Sequence, residues 1–103
     1  MTAEKNERMR ELPPEERRPT LKPKVRIRFD DREQQWLLLA PERGLLLNDS
    51  AKRIVDLCDG TRTEGAIAKS LADASSAPLD VVLRDVAAVL EELRKRVLLE
   101  PGT

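Results

Sequence analysis

An α+β fold is predicted for this chain: a small three-stranded antiparallel sheet followed by three helices. Two patterns predict it. Between Leu21 and Leu47, short apolar runs of strand length are separated by polar and proline-containing breaks. After Asn48 the apolar residues recur instead every three or four positions, in blocks punctuated by Asp59-Gly60 and Ala77-Pro78. Three helices beside a small sheet is the composition of a winged helix-turn-helix, here with the sheet placed first.

Each element has its own signal. Lys24-Val25-Arg26-Ile27-Arg28-Phe29 alternates basic and apolar residues, the mark of a strand with one buried face. Asp30 to Gln35 is a polar turn, and Trp36-Leu37-Leu38-Leu39-Ala40 is an apolar run stopped by Pro41. The two runs read as an antiparallel hairpin. Leu45-Leu46-Leu47, after Pro41-Glu42-Arg43-Gly44, is a third short strand. Asn48-Asp49-Ser50 offers a side-chain oxygen to orphan N–H groups and so caps a first helix. That helix carries Ile54, Val55, Leu57 and Cys58 and stops at Asp59-Gly60, with glycine suited to the left-handed C′ position. Thr63 caps the second, whose apolar set is Ile67, Ala68 and Leu71, flanked by Ala66 and Ala74; Ser75 to Pro78 breaks it. In the third, Leu79, Val82, Leu83, Val86, Val89, Leu90 and Leu93 form one apolar stripe. Val82 and Val89 sit on one flank of that stripe, Leu83 and Leu90 on the other. Val97-Leu98-Leu99 reads as a last extended segment.

The 103 residues have room for one domain. Met1 to about Thr20 is dense in Glu, Arg and Pro, with Leu12 and two methionines as its only large apolar residues. Burial there cannot offset ordering the backbone, which costs roughly 1–2 kcal/mol per residue. Residues 1–20 are therefore expected to be a disordered arm, 21–100 the domain and 101–103 a tail. Nineteen basic residues balance nineteen acidic ones. A general nucleic-acid binder would instead show a basic surplus, because phosphate contacts supply most of its affinity. Phe29 and Trp36 are the only aromatics, too few for a base-stacking platform. Cys58 stands alone and can form no internal disulfide, and no apolar run resembles a signal peptide or a spanning helix. A cytoplasmic location is the expectation.

Catalytic chemistry is missing from the inventory. Without histidine there is no Ser–His or Cys–His relay, and the commonest metal ligand is gone. One cysteine cannot make the usual zinc site, and neither phosphate-cradling glycine motif occurs. The carboxylates are interleaved with Lys and Arg, as in Glu91-Glu92 beside Arg94-Lys95-Arg96, and read as solvated helix faces. Cys58 reads as a small buried residue. No catalytic residue, cofactor or metal is expected; the chain reads as a non-enzymatic binding module.

Three constellations could carry binding. Consecutive leucines at 45, 46 and 47 leave at least one side chain pointing away from what the others bury. If that strand lies at an edge, its free N–H and C=O groups can pair with an incoming peptide; the alternative is a strand covered on both sides. The third helix would read DNA in a winged-helix regulator, the runner-up function, but Asp80, Asp85, Glu91 and Glu92 on its polar face would repel phosphate. Lys22, Lys24, Arg26 and Arg28 form a basic stretch, alternatively just the wet face of a strand.

The residues also carry a family likeness. Val25-Arg26-Ile27-Arg28-Phe29-Asp30, Trp36-Leu37-Leu38-Leu39-Ala40-Pro41-Glu42-Arg43 and Ile54-Val55-Asp56-Leu57-Cys58-Asp59-Gly60-Thr61-Arg62-Thr63 together resemble the PqqD family of pyrroloquinoline quinone (PQQ) biosynthesis, over roughly Leu21 to Leu99. The resemblance implies a winged-helix peptide chaperone of the kind that serves as recognition element in ribosomal-peptide maturation. Its partners would be the precursor peptide PqqA and the radical S-adenosylmethionine enzyme PqqE, which links a Glu to a Tyr within that peptide. It further implies a peptide site along the third strand beside the third helix. That site takes in Leu45, Leu46 and Leu47 with one helix flank, either Val82, Asp85, Val86 and Val89 or Leu83, Arg84 and Ala87. Three departures from the family pattern stand out. The turn from Asp31 to Gln35 lacks a glycine, serines precede Pro78 where an aromatic is common, and Arg96 replaces a usual Gly near the helix end. Segments around Pro41 and Pro78 leave both a monomer and a swapped homodimer open.

Overall fold

Strand, turn and helix follow the predicted order in the computed structural model, which describes residues 13–41 and 43–103. After a 3-10 turn at Pro14–Glu16 come β1 (Arg26–Asp30), β2 (Gln35–Ala40), β3 (Arg43–Leu47), α1 (Asp49–Asp56), α2 (Glu64–Ser75) and α3 (Leu79–Lys95). The sheet order is β1-β2-β3, with both pairings antiparallel.

Register sorts the side chains onto two faces, because neighbours along a strand alternate. Ile27 pairs with Leu38 and Leu38 with Leu45; Phe29 pairs with Trp36 and Trp36 with Leu47. These residues make the inner face, where Leu38 is fully buried and Leu47 nearly so. Arg28, Leu37 and Leu46, and likewise Arg26, Leu39 and Gly44, line up on the outer face. Phe29 meets Trp36 edge to face at 5.2 Å, and the Lys52 ammonium of α1 lies 4.2 Å from the Trp36 ring centre, which ties the helix layer to the sheet. In the turn between β1 and β2 no glycine is present, and Gln34 takes the left-handed conformation instead (φ 55°), its side chain donating to the Asp31 carbonyl at 2.7 Å.

The helix layer closes the core. Ile54 and Val55 of α1, Ile67 and Ala68 of α2, and Val86, Leu90 and Leu93 of α3 pack with Leu38 and Leu47 into one cluster. Full burial of such a side chain is worth about 1.5–3 kcal/mol relative to exposure. Asn48 and Thr63 are the N-caps, accepting from Ala51 N at 2.8 Å and Ala66 N at 3.0 Å. α1 ends earlier than the sequence implied. Asp56 is its last residue, and Gly60 is not its C′ but part of the next turn, with φ +85° and a position where a Cβ would meet Thr20 Oγ1 at 2.8 Å.

Both ends of the described chain use main-chain partners that their composition does not announce. Residues 13–20, expected to belong to a disordered arm, lie against the body: Pro19 is fully buried, and the Arg17 carbonyl accepts from Glu64 N at 2.7 Å. Thr20 bridges Asp59 and Leu21 bridges Leu99, so the N-terminal segment also clasps the C-terminal one. The part of the expected arm at residues 1–12 lies outside the described residues. At the C-terminus of α3 the left-handed position falls not on Arg96, the C-cap with φ −90°, but on the residue after it. Leu98 N donates to Leu93 O and Val97 N to Arg94 O, the paired bonds of a Schellman motif, which puts Val97 at C′ with φ 56°. A β-branched residue there is strained by roughly 1–2 kcal/mol. Val97 is 54% exposed, so little burial offsets that strain. Val97→Gly should therefore raise stability by about 0.5–1 kcal/mol after glycine's entropy is deducted. A thermal melt that moves down, or not at all, would contradict it.

Candidate functional site

β3 is the edge of the sheet. Among the described residues it pairs with β2 on one side and with no strand on the other. Every second N–H and C=O along it therefore points away from the sheet without a ladder partner. One end of β3 is tied to the end of α3, where the Arg43 guanidinium donates to the Arg96 carbonyl. From its other end the chain runs through Asn48 into α1, which meets the N-terminal half of α3. A cavity of about 440 Å³ opens there, lined chiefly by Arg53 and Ile54 of α1, Leu71 of α2, and Val81, Val82 and Asp85 of α3. No residue of β3 lines this cavity; the link between them is α1, which follows β3 through Asn48, and the cavity's rim carries one cation, Arg53, and one carboxylate, Asp85.

The sequence-derived site residues separate on this frame. Leu45 is half-buried and faces inward, Leu47 is enclosed, and Leu46 is on the opposite face at 49% exposure. The Leu46 side chain therefore cannot share a groove with Leu45; only its main chain can. Val82 and Asp85 line the cavity, and Val89 is half-buried against the core. Val86 is fully buried and belongs to the core rather than to any open surface. The other flank, Leu83, Arg84 and Ala87, faces elsewhere: with Pro14, Glu15 and Glu64 it lines a separate space of about 350 Å³ under the N-terminal segment. Ile54, Leu71, Arg53 and Val81 were missed. Val81 carried a signal, an apolar side chain off the helix stripe that is left exposed.

The basic stretch also divides. Lys22 and Lys24, joined by Arg43 and Arg96, line a cleft of about 450 Å³ at the end of the sheet, whereas Arg26 and Arg28 stand on the outer face of β1. The exposed side of α3 mixes Asp80, Asp85, Glu91 and Glu92 with Arg84 and Lys95, a poor match to a phosphate backbone.

Cys58 sits beneath α1 with its thiol donating to the Ile54 carbonyl at 3.3 Å. Burial pushes the thiol up from 9.0 to about 12, with nearby Arg94 pulling the other way. Thiolate is the nucleophile, so alkylation of the folded chain at pH 8 should be negligible and should become fast in denaturant, read by mass spectrometry. Because the folded thiol holds its proton longer than the unfolded one, its contribution to stability is constant below about pH 9 and is lost as pH rises toward 12.

The family model described as coenzyme PQQ synthesis protein D (PqqD) matches residues 35–99, from the first residue of β2 to the strand bridge at Leu99. This chain belongs to the PqqD family. A protein of Rhodopseudomonas palustris (strain BisB5) named PqqA binding protein is 42% identical over 76 residues, covering 74% of each chain. The solution structure of the PqqD truncation of Methylobacterium extorquens PqqCD, described as a functional and stand-alone recognition element for ribosomally synthesized and post-translationally modified peptides, superposes with a TM-score of 0.70. It is 35% identical, over 80% of this chain and 87% of the other. TbiB1, solved with the TbiA(β) leader peptide, shares the fold at a TM-score of 0.67 and 21% identity, over 80% and 95% of the two chains. The sheet followed by three helices is thus the architecture of the PqqD family. Among the described residues no helix is long and apolar enough to cross a membrane.

Proposed function

We propose that this chain is a peptide chaperone of PQQ biosynthesis that binds the precursor peptide PqqA along β3 and hands it to the radical S-adenosylmethionine enzyme PqqE. The observation that carries the reading is the open edge of β3, joined through Asn48 to α1, which lines the cavity shared with α3. The name of the Rhodopseudomonas relative supports the choice of peptide. In this reading the peptide adds as a fourth strand. Its main chain completes the unpaired groups of β3, and an apolar side chain seats in the cavity at Val82 and Val81, fixing register. Asp85 and Arg53 on the rim would discriminate among flanking charges. No residue of the chain is assigned a catalytic role. Its contribution is concentration: a module that holds peptide and enzyme together turns their encounter into an intramolecular one.

Backbone amide shifts followed during titration with PqqA peptide test the site. The expected perturbations run along Arg43–Leu47 and include Val81, Val82, Asp85 and Val89. Perturbations confined to α1, or to the Leu83, Arg84 and Ala87 flank, would overturn it.

A further inference from the structure

An antiparallel sheet with helices on one face ordinarily turns a polar face to water. This one does not. β2 places Leu37 and Leu39 on the outer face and β3 adds Leu46 beside Leu37, while α1, α2 and α3 all pack on the other side. Leu37 and Leu39 lie outside the core cluster, and Leu46 is the second most exposed large apolar residue described. Gly44, next to Leu39 in the register, has no side chain to cover them, although a Cβ there would fit at 3.7 Å. On the margin of this patch stand Arg26 and Arg28, neither in an ion pair among the described residues. Asp30, at the far end of β1, is the one acid on this face among the described strand residues, and its carboxylate accepts from Arg32 N at 3.1 Å.

We infer that this outer face is where the peptide-loaded module docks on its enzyme, through an apolar patch on the enzyme set beside carboxylates. The inference rests on the delivery reading above and adds the surface to it. Charge decides the occupant. A second copy of this chain would bring two more arginines against one more Asp30 and leave cations unmatched, whereas an acid-rimmed surface pairs with Arg26 and Arg28. Geometry is compatible with delivery as well. The outer face lies on the opposite side of the sheet from the cavity and leaves the β3 edge open, yet Leu46 belongs to the same strand that would hold the peptide. An enzyme touching Leu46 is one strand's thickness from its substrate.

The test measures PqqA peptide and PqqE separately by isothermal titration against the wild-type chain, Leu37→Asp, and Arg26→Glu with Arg28→Glu. Both changes lie on the outer face and off the strand assigned to the peptide, and Arg26 and Arg28 are exposed. Peptide affinity should stay within about threefold while PqqE affinity falls at least tenfold in each variant; the charge pair should also flatten the salt dependence of PqqE binding. Unchanged PqqE affinity in both variants overturns the docking face and leaves the peptide site standing. Failure of the wild-type chain to bind PqqE, with or without peptide, overturns delivery itself and this surface with it. A dimer in sedimentation that Leu37→Asp splits would assign the face to a second copy and overturn the inference.

Discussion

Alanine in place of Arg94 is expected to cost the fold about 3 kcal/mol, the low end of the range for removing one partner of a buried ion pair. Glu64, in the first turn of α2, is only 3% exposed, and the Arg94 guanidinium of α3 meets its carboxylate at 3.2 Å. The same guanidinium donates through Nε to the Thr103 carbonyl at 2.9 Å. One side chain therefore holds α2, α3 and the C-terminal residues together. Its loss leaves a carboxylate enclosed without a counter-charge. Arg94 itself is partly open to solvent, so water entering the vacated space softens the penalty and places it at the low end. Denaturant unfolding of wild type, Arg94→Ala, Glu64→Gln and the double variant checks this. The double variant should be more stable than Arg94→Ala alone, because a neutral amide no longer needs the cation. A coupling below about 0.5 kcal/mol would show that the pair is incidental.

That ion pair also marks where sequence reading runs out. Arg94 was legible only as one of several cations near a helix end, and Glu64 only as a residue after a cap. Their pairing links positions thirty residues apart and depends on how α2 packs on α3. Elements themselves were legible because the two periodicities differ: period two or short runs before Asn48, three and four after it. The ends were not. Residues 13–20 are polar and proline-rich, as an arm would be, but their main chain is used, with the carbonyls of Arg17 and Pro19 accepting from Glu64 and Gly60. Composition reports side chains and is silent on where backbone groups find partners. Gly60 misled in a related way. Its positive φ was legible, but the conformation serves the turn against Thr20 rather than the end of α1.

Within the site, the leucine run was visible, but edge and centre look alike in sequence, since position in a sheet is a property of topology. Parity was available in principle. With Leu45 facing inward, period two sends Leu46 to the other face, as its register with Leu37 shows. The flank of α3 could not be chosen from the stripe alone, because both sides are apolar. They differ only in what covers them, α1 for Val82 and Asp85 and the N-terminal segment for Leu83 and Ala87.

The largest change in binding should come from the backbone of the peptide rather than from any side chain of the module. A strand added to β3 directs the N–H of every second residue at the sheet edge and the others at solvent. N-methylation of two sheet-facing amides removes two donors, leaves β3 carbonyls without partners inside the contact, and sets a methyl against the strand. A lost hydrogen bond with an unsatisfied partner costs about 1–3 kcal/mol, so the pair should weaken binding by roughly 3 kcal/mol or more, at least a hundredfold. The same two methyl groups one residue along the peptide face water and should change affinity by less than about threefold. This alternation can be measured by fluorescence anisotropy on an unmodified protein, so no loss of folding confuses it. Equal, small effects from both sets of positions would mean that side-chain pockets alone hold the peptide and that the edge of β3 is not its seat.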